Sequence, residues 1–423
     1  MNNKLLSILL FFIASAGFSQ GYVKVMQYNL LYYGNTGYGC DDSNNNTDAK
    51  NGYLSTIIGH VRPDILTVNE MAPYGATADG LLENALNTGG RDYYQRATVS
   101  GSYPIANMLF YNSMKLTLAG QEEIYTGFRV IDVYRLYYNS PDLALGDTAY
   151  ITCIAAHLKA GSEASDEATR ADMTNAVMDY LTGTGAGNYL FQGDFNLYNS
   201  NETAYQNLIN HTNISIRFYD PVSAPGDWGT YSFKDYHTQS THSSDNGCAS
   251  TGGMDDRFDF ILASGNIMNG TTKVQYVSDS YITIGQDGEH YNQSINSGTN
   301  NSAPDSVIQA LYGMSDHLPV SLVLQIAQTP VAGATEKINN NEIKVAINNP
   351  VNERLNMYIR TSANREMEIR VVSVLGTVVA RYKITCLPGD NFCTFNMDNL
   401  GRGLYFLRIK NEERITVKKF IKQ

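Results

Sequence analysis

The chain has 423 residues, a length that suits two or three domains of ordinary size. Apolar residues make up 43% and charged residues 17% of it, a balance that excludes disordered and fibrous proteins. The net charge of −11 excludes the broad basic surface of a protein that reads DNA sequence. Nucleic acid stays open as a substrate, because bound divalent cations can neutralise local charge.

The amino terminus has the pattern of a signal peptide. Lys4 precedes an apolar run over residues 5–13, and small residues follow at 14–17. This run is far shorter than the roughly 20 apolar residues that span a bilayer, and no later segment reaches that length. The sequence therefore predicts a signal peptide over residues 1–20, no transmembrane segment, and a soluble, exported mature protein.

The next 300 or so residues have the pattern of a mixed α/β domain. Two segments with helical spacing, 51–60 and 163–181, predict helices, and short apolar runs between turn-rich stretches predict strands. Such a set suits two packed sheets flanked by helices. The predicted strands cover residues 23–31, 65–70, 107–111, 149–157, 189–194, 258–264 and 318–326.

Two polar stretches, 220–255 and 280–305, are too long for ordinary connections. They are either substrate-facing loops or variable surface insertions. Residues 327–336 then change to small side chains with Pro330, which predicts an interdomain linker.

The C-terminal region has a different character. Short alternating runs between residues 343 and 420 predict a small β-sandwich. Residues 1–330 carry 15 Lys and Arg against 32 Asp and Glu, whereas residues 331–423 carry 15 against 9. The opposite signs of these two balances predict two units with different roles.

Five cysteines are an odd number for an exported chain. Cys153 lies in an apolar run and is expected to be a small buried hydrophobic residue. Cys386 and Cys393 could close a hairpin, and Cys40 with Cys248 could tie two long loops together. No Cys and His spacing resembles a zinc site.

Polar residues repeatedly interrupt or end the predicted strands of the α/β region. Each alone also fits a strand cap or a solvated strand end. Strand ends of a rigid sheet can converge on one cleft, where carboxylates hold a hard cation and histidine transfers protons. The residues are Asn29, Glu70, His157, Asp194, Asn196, Asp259, Asp316 and His317.

With these residues in view, the chain resembles the endonuclease/exonuclease/phosphatase superfamily, which has the deoxyribonuclease-I-like fold. The resemblance extends over residues 22–326 and rests on six short motifs that occur in the family's order. They are VMQYN at 25–29, DILTVNE at 64–70, HLK at 157–159, GDFN at 193–196, RFDF at 257–260 and SDHLPV at 315–320.

The resemblance implies a four-layer α/β sandwich over residues 21–326, with a phosphate-ester site that needs a divalent cation. Glu70 would be the main metal carboxylate, and Asn29 and Asp316 would help to hold or orient the ion. The expected ion is Mg²⁺, with Mn²⁺ or Ca²⁺ as alternatives, because Mg²⁺ is usually bound by one or two carboxylates together with waters and phosphate.

The same resemblance implies a role for each remaining polar residue. His317 would act at the scissile phosphate, and Asp259 would fix its tautomer. Asp194 would position or deprotonate the attacking water, Asn196 would bind the phosphate, and His157 would assist the leaving oxygen or contact a phosphate oxygen. The division of acid and base duties between the two histidines stays open at this point.

Further contacts with substrate phosphates are expected from Tyr111, Arg135, Lys159 and Arg170. Tyr111 and Arg135 fit equally well as a rim tyrosine and a surface arginine. Lys159 and Arg170 belong to a segment that is similar to secreted bacterial nucleases of the superfamily, where they would meet backbone phosphates. Aromatic residues of the first long loop could stack on bases or close the loop over the core: Trp228, Tyr231, Phe233, Tyr236 and His237.

These observations favour a secreted, metal-dependent phosphodiesterase, with DNA or RNA as the first substrate and endonuclease action expected. A phosphomonoesterase, an inositol-phosphate phosphatase or a sphingomyelinase-type enzyme could use the same centre. A surface binding or adhesion protein that has lost catalysis is the alternative outside the enzymes. The sequence makes no prediction of the oligomeric state.

Residues 337–423 carry a second resemblance, to the C-terminal sorting domain of the type IX secretion system of Bacteroidota. It rests on NPV at 349–351, VLG at 374–376, LGRGLYF at 400–406 and VKKF at 417–420. It implies that the secretion machinery is a partner and that the protein is released or attached to the cell surface. A carbohydrate-binding sandwich is the alternative.

Overall fold

The computed structural model describes residues 20–100, 104–140, 143 and 146–327 in the N-terminal part of the chain. In the C-terminal part it describes residues 344–347, 351, 354–361, 363–374, 376–386, 389–410 and 415–422. The predicted signal peptide and linker lie outside these residues, except for Gln20 and Ala327. The chain divides into two compact units, one of them Tyr22–Ile326 and the other including Ala327–Gln423.

The first unit contains six α-helices and thirteen strands within the described residues. The helices are α1 (Thr47–Val61), α2 (Gly75–Leu81, continued by a π-turn over Leu82–Leu86), α3 (Ala164–Thr184), α4 (Thr203–Ile209), α5 (Gly265–Asn269) and α6 (Asp305–Met314). The strands are β1 (Gln20–Tyr33), β2 (Ile65–Met71), β3 (Tyr94–Arg96), β4 (Ala106–Asn112), β5 (Leu116–Tyr125), β6 (Val130–Tyr138), β7 (Tyr150–His157), β8 (Tyr189–Asp194), β9 (Phe218–Tyr219), β10 (Asp259–Ser264), β11 (Val274–Tyr276), β12 (Ile282–Thr283) and β13 (Val320–Ala327).

The strands form two mixed sheets. Sheet one has the order β11-β13-β1-β2-β4-β3, with β12 paired to β13, and sheet two has the order β5-β6-β7-β8-β10-β9. In sheet one β1 runs parallel to β2, and in sheet two β7 runs parallel to β8. The carboxyl ends of each parallel pair therefore lie at one edge of its sheet.

The two sheets pack face to face between helices. Along β7, Cys153 and Ala155 belong to the core that sheet one shares with sheet two, while Ile154 and Ala156 belong to the core between sheet two and helices α3 and α4. This alternation follows from the two-residue period of a strand. Helices α1 and α6 pack on sheet one. The predicted four-layer α/β architecture is confirmed.

Helix α1 is capped at its N-terminus and binds the backbone of β1 through a buried lysine. Its N-cap Asn46 accepts a hydrogen bond from Ala49 N, which satisfies one free amide of the first turn. Lys50 is buried in that turn, and its ammonium donates to the carbonyl oxygens of Leu30 at 2.7 Å and Leu31 at 2.6 Å. Burial lowers the pKa of Lys50 to about 7. The helix thus fixes the backbone of β1 where its pairing with β2 is interrupted, between Asn29 and Tyr33.

The two long polar stretches contain little regular structure. Residues 220–255 include one 3₁₀-helix, Tyr231–Tyr236, and residues 280–305 include only the short strand β12 and the first residue of α6. Trp228 and His237 are fully buried. These two aromatic residues therefore close the first loop over the core, which is one of the two outcomes expected for them.

The C-terminal unit has seven described strands: β14 (Lys344–Ile347), β15 (Arg354–Thr361), β16 (Arg365–Ser373), β17 (Val378–Cys386), β18 (Gly389–Asn396), β19 (Gly403–Lys410) and β20 (Ile415–Lys422). They form two antiparallel sheets with the orders β14-β15-β18 and β17-β16-β19-β20. Apolar side chains of both sheets, such as Met357 and Ile369, share one core. The predicted small all-β sandwich is confirmed.

Of the two cysteine pairings, one is confirmed and one is wrong. Cys40 and Cys248 form a disulfide between residues 208 positions apart. Cys386 and Cys393 are free thiols. They do not form a hairpin bridge because β17 and β18 belong to different sheets, and Cys386 Sγ instead lies 4.0 Å from Met367 Sδ. Cys153 is buried, as expected.

Among the described residues, no helix combines the length and the apolar character that a membrane span requires.

Replacing Cys40 and Cys248 together by Ala is expected to lower the free energy of unfolding of the first unit by about 2–4 kcal/mol, because the bond restricts the unfolded chain. Trp228 is the single tryptophan of the chain and is buried in this unit, so its fluorescence in urea reports the unfolding of that unit. Dithiothreitol should destabilise the wild type and leave the double variant unchanged. Equal stability of the variant and the oxidised wild type would contradict the prediction.

Candidate active site

The site lies where strand ends of the two sheets meet. In sheet one Asn29 is paired with Asn69 in parallel register, directly before Glu70. In sheet two Asp194 is paired with His157 on one side and with Asp259 on the other. Gly193 precedes Asp194 with a φ of 152°, and a Cβ there would overlap Ala156 O. Glycine therefore permits the close approach of β8 to β7 next to the site.

Asp194 is at the centre of this group. Its Oδ2 lies 3.0 Å from Asn29 Nδ2, 3.5 Å from His157 Nε2 and 3.7 Å from His317 Nε2. Burial raises the pKa of the Asp194 carboxyl. Asn196 N donates to the other oxygen, Oδ1, at 3.1 Å. One carboxylate therefore contacts both histidines and a residue of sheet one.

His317 is oriented by a second carboxylate. Its Nδ1 lies 2.6 Å from Asp259 Oδ2, which leaves Nε2 facing Asp194. Burial alone would lower the pKa of His317, but the carboxylates of Asp259 and Asp194 raise it well above its ordinary value. Gln239 Nε2 also lies 2.6 Å from His317 Nε2. Asp259 therefore fixes the ring at Nδ1, whereas Gln239 Nε2 can donate to Nε2 only in the neutral imidazole.

His157 has the opposite electrostatic environment. Burial, followed by the charges of Arg129 and His317, lowers its pKa well below the ordinary value. Its Nε2 lies 3.7 Å from Glu70 Oε1. Its Nδ1 is buried without a hydrogen-bond partner among the described residues. Burial therefore favours the uncharged form of His157, whose Nε2 lies near the carboxylates of Glu70 and Asp194.

The backbone around the site adopts left-handed conformations that are uncommon outside glycine. Glu70 has a φ of 58°, Leu31 of 45°, Tyr32 of 49° and Asn196 of 50°. Hydrogen bonds hold this segment in place, with Leu31 N donating to Asn29 Oδ1 at 2.9 Å and Tyr32 N donating to Glu70 Oε2 at 3.2 Å. Strain of this kind concentrates at functional sites, where the surrounding structure maintains it.

The acidic residues of the site fit a divalent cation. Glu70, His157 and Asp194 each offer one ligand atom, and these atoms lie within 4.8 Å of one another. Asp316 Oδ2 accepts a hydrogen bond from Ser250 N at 2.8 Å, whereas its Oδ1 is buried without a hydrogen-bond partner among the described residues and lies 3.9 Å from His317 Nε2. Burial, followed by the Asp316 charge, raises the pKa of Glu70. A cation would relieve that repulsion.

A cavity of about 760 Å³ opens above this group. Glu70, His157, Asp194, Asp316 and His317 all line it, and their side chains are 13% exposed at most. The site is therefore at the floor of a recess. Its walls include Tyr32, Tyr38, Asn107, Phe128, Arg129, Lys159, Asn196, Tyr198, Gln239 and Ser250.

The structure thus brings together all eight polar residues predicted to form the centre. Their individual roles stay predictions. Asn29 differs most from its expected role, because Nδ2 donates to Glu70 Oε1 at 3.1 Å and to Asp194, while Oδ1 accepts from Leu31 N. Both ends of the amide are therefore used within the protein, and Asn29 contacts the carboxylates of Glu70 and Asp194 directly.

Tyr111 and Arg135 do not lie at the site. Tyr111 is paired with Ile65 at the start of β2, whereas Glu70 is near the end of that strand. Arg135 is exposed on β6 opposite Thr152, and its guanidinium lies 4.0 Å from the ring centre of Tyr150. Neither residue lines the cavity, because their strand positions are several residues from the polar edge, and the phosphate contacts expected of them stay predictions.

Arg170 was expected to meet substrate phosphates, but it does not line the cavity and its side chain is fully buried. It forms an ion pair of 2.7 Å with Glu202 and donates to the carbonyl oxygens of Lys159 and Gly161 at 2.9 and 2.7 Å. Its Nη1 thus binds the loop after β7, and its Nε and Nη2 bind Glu202, the residue directly before α4. Lys159 does line the cavity, where it is paired with Asp166 at 2.7 Å.

Sequence reasoning missed three residues of the site. Gln239 comes from an irregular loop with no periodic signal. Arg129 is at the start of an unpredicted strand, where it donates to the carbonyl oxygen of Leu158 at 2.9 Å. Asn69 accepts from Asp194 N at 2.9 Å and donates to Ala156 O at 3.2 Å. Its place directly before Glu70 in a matched motif was the one available signal.

Comparison with known proteins gives a match at the C-terminus and similarities of fold. Residues 348–423 match the family described as the secretion system C-terminal sorting domain. No curated protein sequence matches the chain.

Several solved structures are similar to the chain. An endonuclease/exonuclease/phosphatase family protein from Bacteroides thetaiotaomicron is 12% identical, with a TM-score of 0.46 over 73% of this chain and 98% of that one. TDP2 from D. rerio in complex with a single-strand DNA product is 14% identical, with a TM-score of 0.44 over 72% and 98%. A mannosyl-6-phosphatase from B. thetaiotaomicron is 13% identical, with a TM-score of 0.44 over 71% and 99%.

Replacing Arg170 by Ala is expected to lower the free energy of unfolding by about 3–5 kcal/mol, because it leaves Glu202 buried without its partner. Arg135→Ala is the matched control, since that arginine is exposed, and it should change stability by about 1 kcal/mol or less. Urea unfolding followed by tryptophan fluorescence measures both values. Similar stability of the two variants would contradict the structural role assigned to Arg170.

Proposed function

We propose that residues 21–326 form a metal-dependent phosphoric ester hydrolase that acts on phosphodiesters, with DNA or RNA as the first substrate class. One arrangement carries this proposal. Asp259 holds His317 so that its Nε2 faces Asp194, 3.7 Å away, at the floor of a cavity beside the carboxylates of Glu70 and Asp316. Oriented imidazole, a buried carboxylate and a cation-binding group together are what phosphate-ester hydrolysis requires.

Glu70 and Asp316 would hold the cation, with Asn29 fixing the direction of Glu70. Mg²⁺ suits oxygen donors of this kind, and Mn²⁺ or Ca²⁺ are the alternatives. The ion would supply positive charge that offsets the negative charge of the phosphate. Ser250 N and Gln239 Nε2 restrain Asp316 through its other oxygen, at 2.8 and 3.3 Å, so Oδ1 stays directed into the site.

The remaining residues act on the water and the ester. Asp194 would orient the attacking water and accept its proton, since its carboxylate is at the centre of the floor. Asn196 and Arg129 line the same cavity and would bind phosphate oxygens. His317 would contact the scissile phosphate and His157 the leaving oxygen. The new P–O bond forms as the bond to the leaving oxygen breaks, and that oxygen takes up a proton.

The C-terminal match supports a proposal about location. We infer that residues 1–20 direct export, that residues 327–336 are a linker, and that residues 337–423 engage the type IX secretion machinery. The match covers residues 348–423, almost the whole of the predicted sorting domain. The protein would then be released from the cell or attached to its surface, where an extracellular nuclease meets its substrate.

Glu70→Gln and His317→Ala should each reduce kcat/KM for DNA by at least about 100-fold, because one variant removes a metal ligand and the other the imidazole at the phosphate. EDTA should abolish activity, and added Mg²⁺ should restore it. The measurement is cleavage of labelled single-stranded and supercoiled DNA. Glu289→Gln is the control, since that carboxylate is 74% exposed in an ion pair with Lys234, and it should remain fully active.

Full activity of either site variant would refute the site assignment. If the protein hydrolysed mannose 6-phosphate or inositol phosphates but not DNA or RNA, and Glu70→Gln abolished that activity, the substrate class would be the phosphomonoesters. If folded protein in Mg²⁺ hydrolysed none of the phosphate esters tested, the alternative of a binding protein without catalytic activity would be favoured.

Removing residues 337–423 should retain the protein in the periplasm of a host that carries the type IX system, because the sorting signal is lost. Immunoblots of culture medium, cell surface and periplasm measure its distribution. Full-length protein with His317→Ala is the control and should be exported normally. Normal export of the shortened chain would contradict the sorting role.

A further inference from the structure

A tight turn lies at the rim of the active-site cavity. Gly37 and Cys40 exchange two backbone hydrogen bonds, of 3.0 and 2.9 Å, so Tyr38 and Gly39 form the two-residue tip. Both tip residues have positive φ, 50° for Tyr38 and 90° for Gly39. Turns of this type favour Asn and Gly at the tip.

Tyr38 is an unusual residue for that position. A bulky side chain at positive φ is disfavoured, and the ring gains little from packing because the residue is 83% exposed. Its ring centre lies 5.4 Å from that of Tyr32, which also lines the cavity. The fold therefore presents an aromatic pair at the mouth of the recess, at a cost that packing does not offset.

The turn is firmly anchored. Cys40 is bonded to Cys248, and Asn44 Nδ2 donates to Gly39 O at 2.9 Å and to Asn246 O at 3.1 Å. A Cβ at Gly39 would overlap Gly247 O, so the two loops are in close contact. Tyr38 is thus held on a fixed support, which reduces the entropy lost when it contacts a ligand.

Phe128 provides another aromatic surface in the same cavity. It is 44% exposed, with the Arg129 guanidinium 4.9 Å and the Lys159 ammonium 5.8 Å from its ring centre. Tyr32 and Tyr38 approach this group closely enough to affect Arg129. Burial lowers the pKa of Arg129, and Glu70, Asp194 and the two tyrosines oppose that change. The cavity therefore has an aromatic pair, Tyr32 and Tyr38, and a third ring, Phe128, with two cations beside it.

We propose that Tyr38, with Tyr32 and Phe128, stacks on the bases of single-stranded nucleic acid next to the scissile phosphate. This rests on the proposed function and names its substrate class. A cavity of about 760 Å³ is in the size range of small-molecule sites, which suits one or two nucleotides of an extended strand. Flat bases that alternate with phosphates match the rings and cations of the rim.

The test is binding of a fluorescein-labelled thymidine hexanucleotide, measured by anisotropy on the full chain in the His317→Ala background. Tyr38→Asn suits the turn and removes the ring, whereas Tyr38→Phe keeps the ring. Tyr38→Asn should weaken binding by about 5- to 150-fold, since stacking contributes about 1–3 kcal/mol per base. Tyr38→Phe should bind like the parent. An abasic hexamer with the same phosphates should bind weakly and equally to all three proteins.

Tyr231→Ala is the matched control. Tyr231 is also exposed, at 61%, and pairs with Tyr291 at 5.3 Å, but it does not line the cavity. Its loss should leave binding unchanged.

Three results would overturn the proposal: equal loss of thymidine and abasic binding in Tyr38→Asn, an equal effect of Tyr231→Ala, or competition by mannose 6-phosphate that exceeds competition by thymidine monophosphate. A chain that binds as expected but hydrolyses no phosphate ester would retain the stacking site and lose the proposed function.

Discussion

Hydrogen bonds between the two sheets at their polar edge determine the geometry on which the site depends. Asn69 of sheet one accepts from Asp194 N and donates to Ala156 O, both in sheet two. Asn107 Nδ2 donates to Ala155 O at 3.2 Å in the same way. Apolar packing between sheets is non-directional, whereas these buried bonds fix one relative position. The distance of 3.0 Å between Asn29 and Asp194 follows from that position.

The same edge concentrates groups that are costly to bury. Burial raises the pKa of Glu70 and Asp194, and several non-glycine residues have positive φ there. Such costs of a few kcal/mol are tolerable only because the rest of the sheet interface is a large apolar core. Burial also lowers the pKa of Lys50, which binds the carbonyl oxygens of Leu30 and Leu31 next to the site. Stability is provided by the core, and the polar edge concentrates the groups to which the proposed chemistry is assigned.

Whether a site residue could be predicted from the sequence depends on the element that carries it. The eight central residues were predictable because they end or precede strands and belong to matched motifs. Arg170 was misassigned because a motif does not show side-chain direction, and only the structure shows its partner Glu202. Arg129 was missed with the whole of β6, and α6 was missed because its segment follows a long polar stretch. Gln239 reaches His317 from an irregular loop, which no periodicity could have indicated.

The floor and the rim of the cavity have different structural origins, so the residues of the proposed chemistry and those of the proposed base stacking belong to different parts of the fold. The floor consists of strand ends held by the sheets, so its residues lie where the fold requires them. The rim is formed by loops, and the disulfide between Cys40 and Cys248 fixes two of them to each other. Of the two long polar stretches, only 220–255 contributes residues to the cavity, among them Gln239 and Ser250. Ser250 N also binds Asp316, so the loop that forms part of the rim helps to orient a carboxylate of the floor. A ligand that displaces this loop would therefore also change the orientation of Asp316.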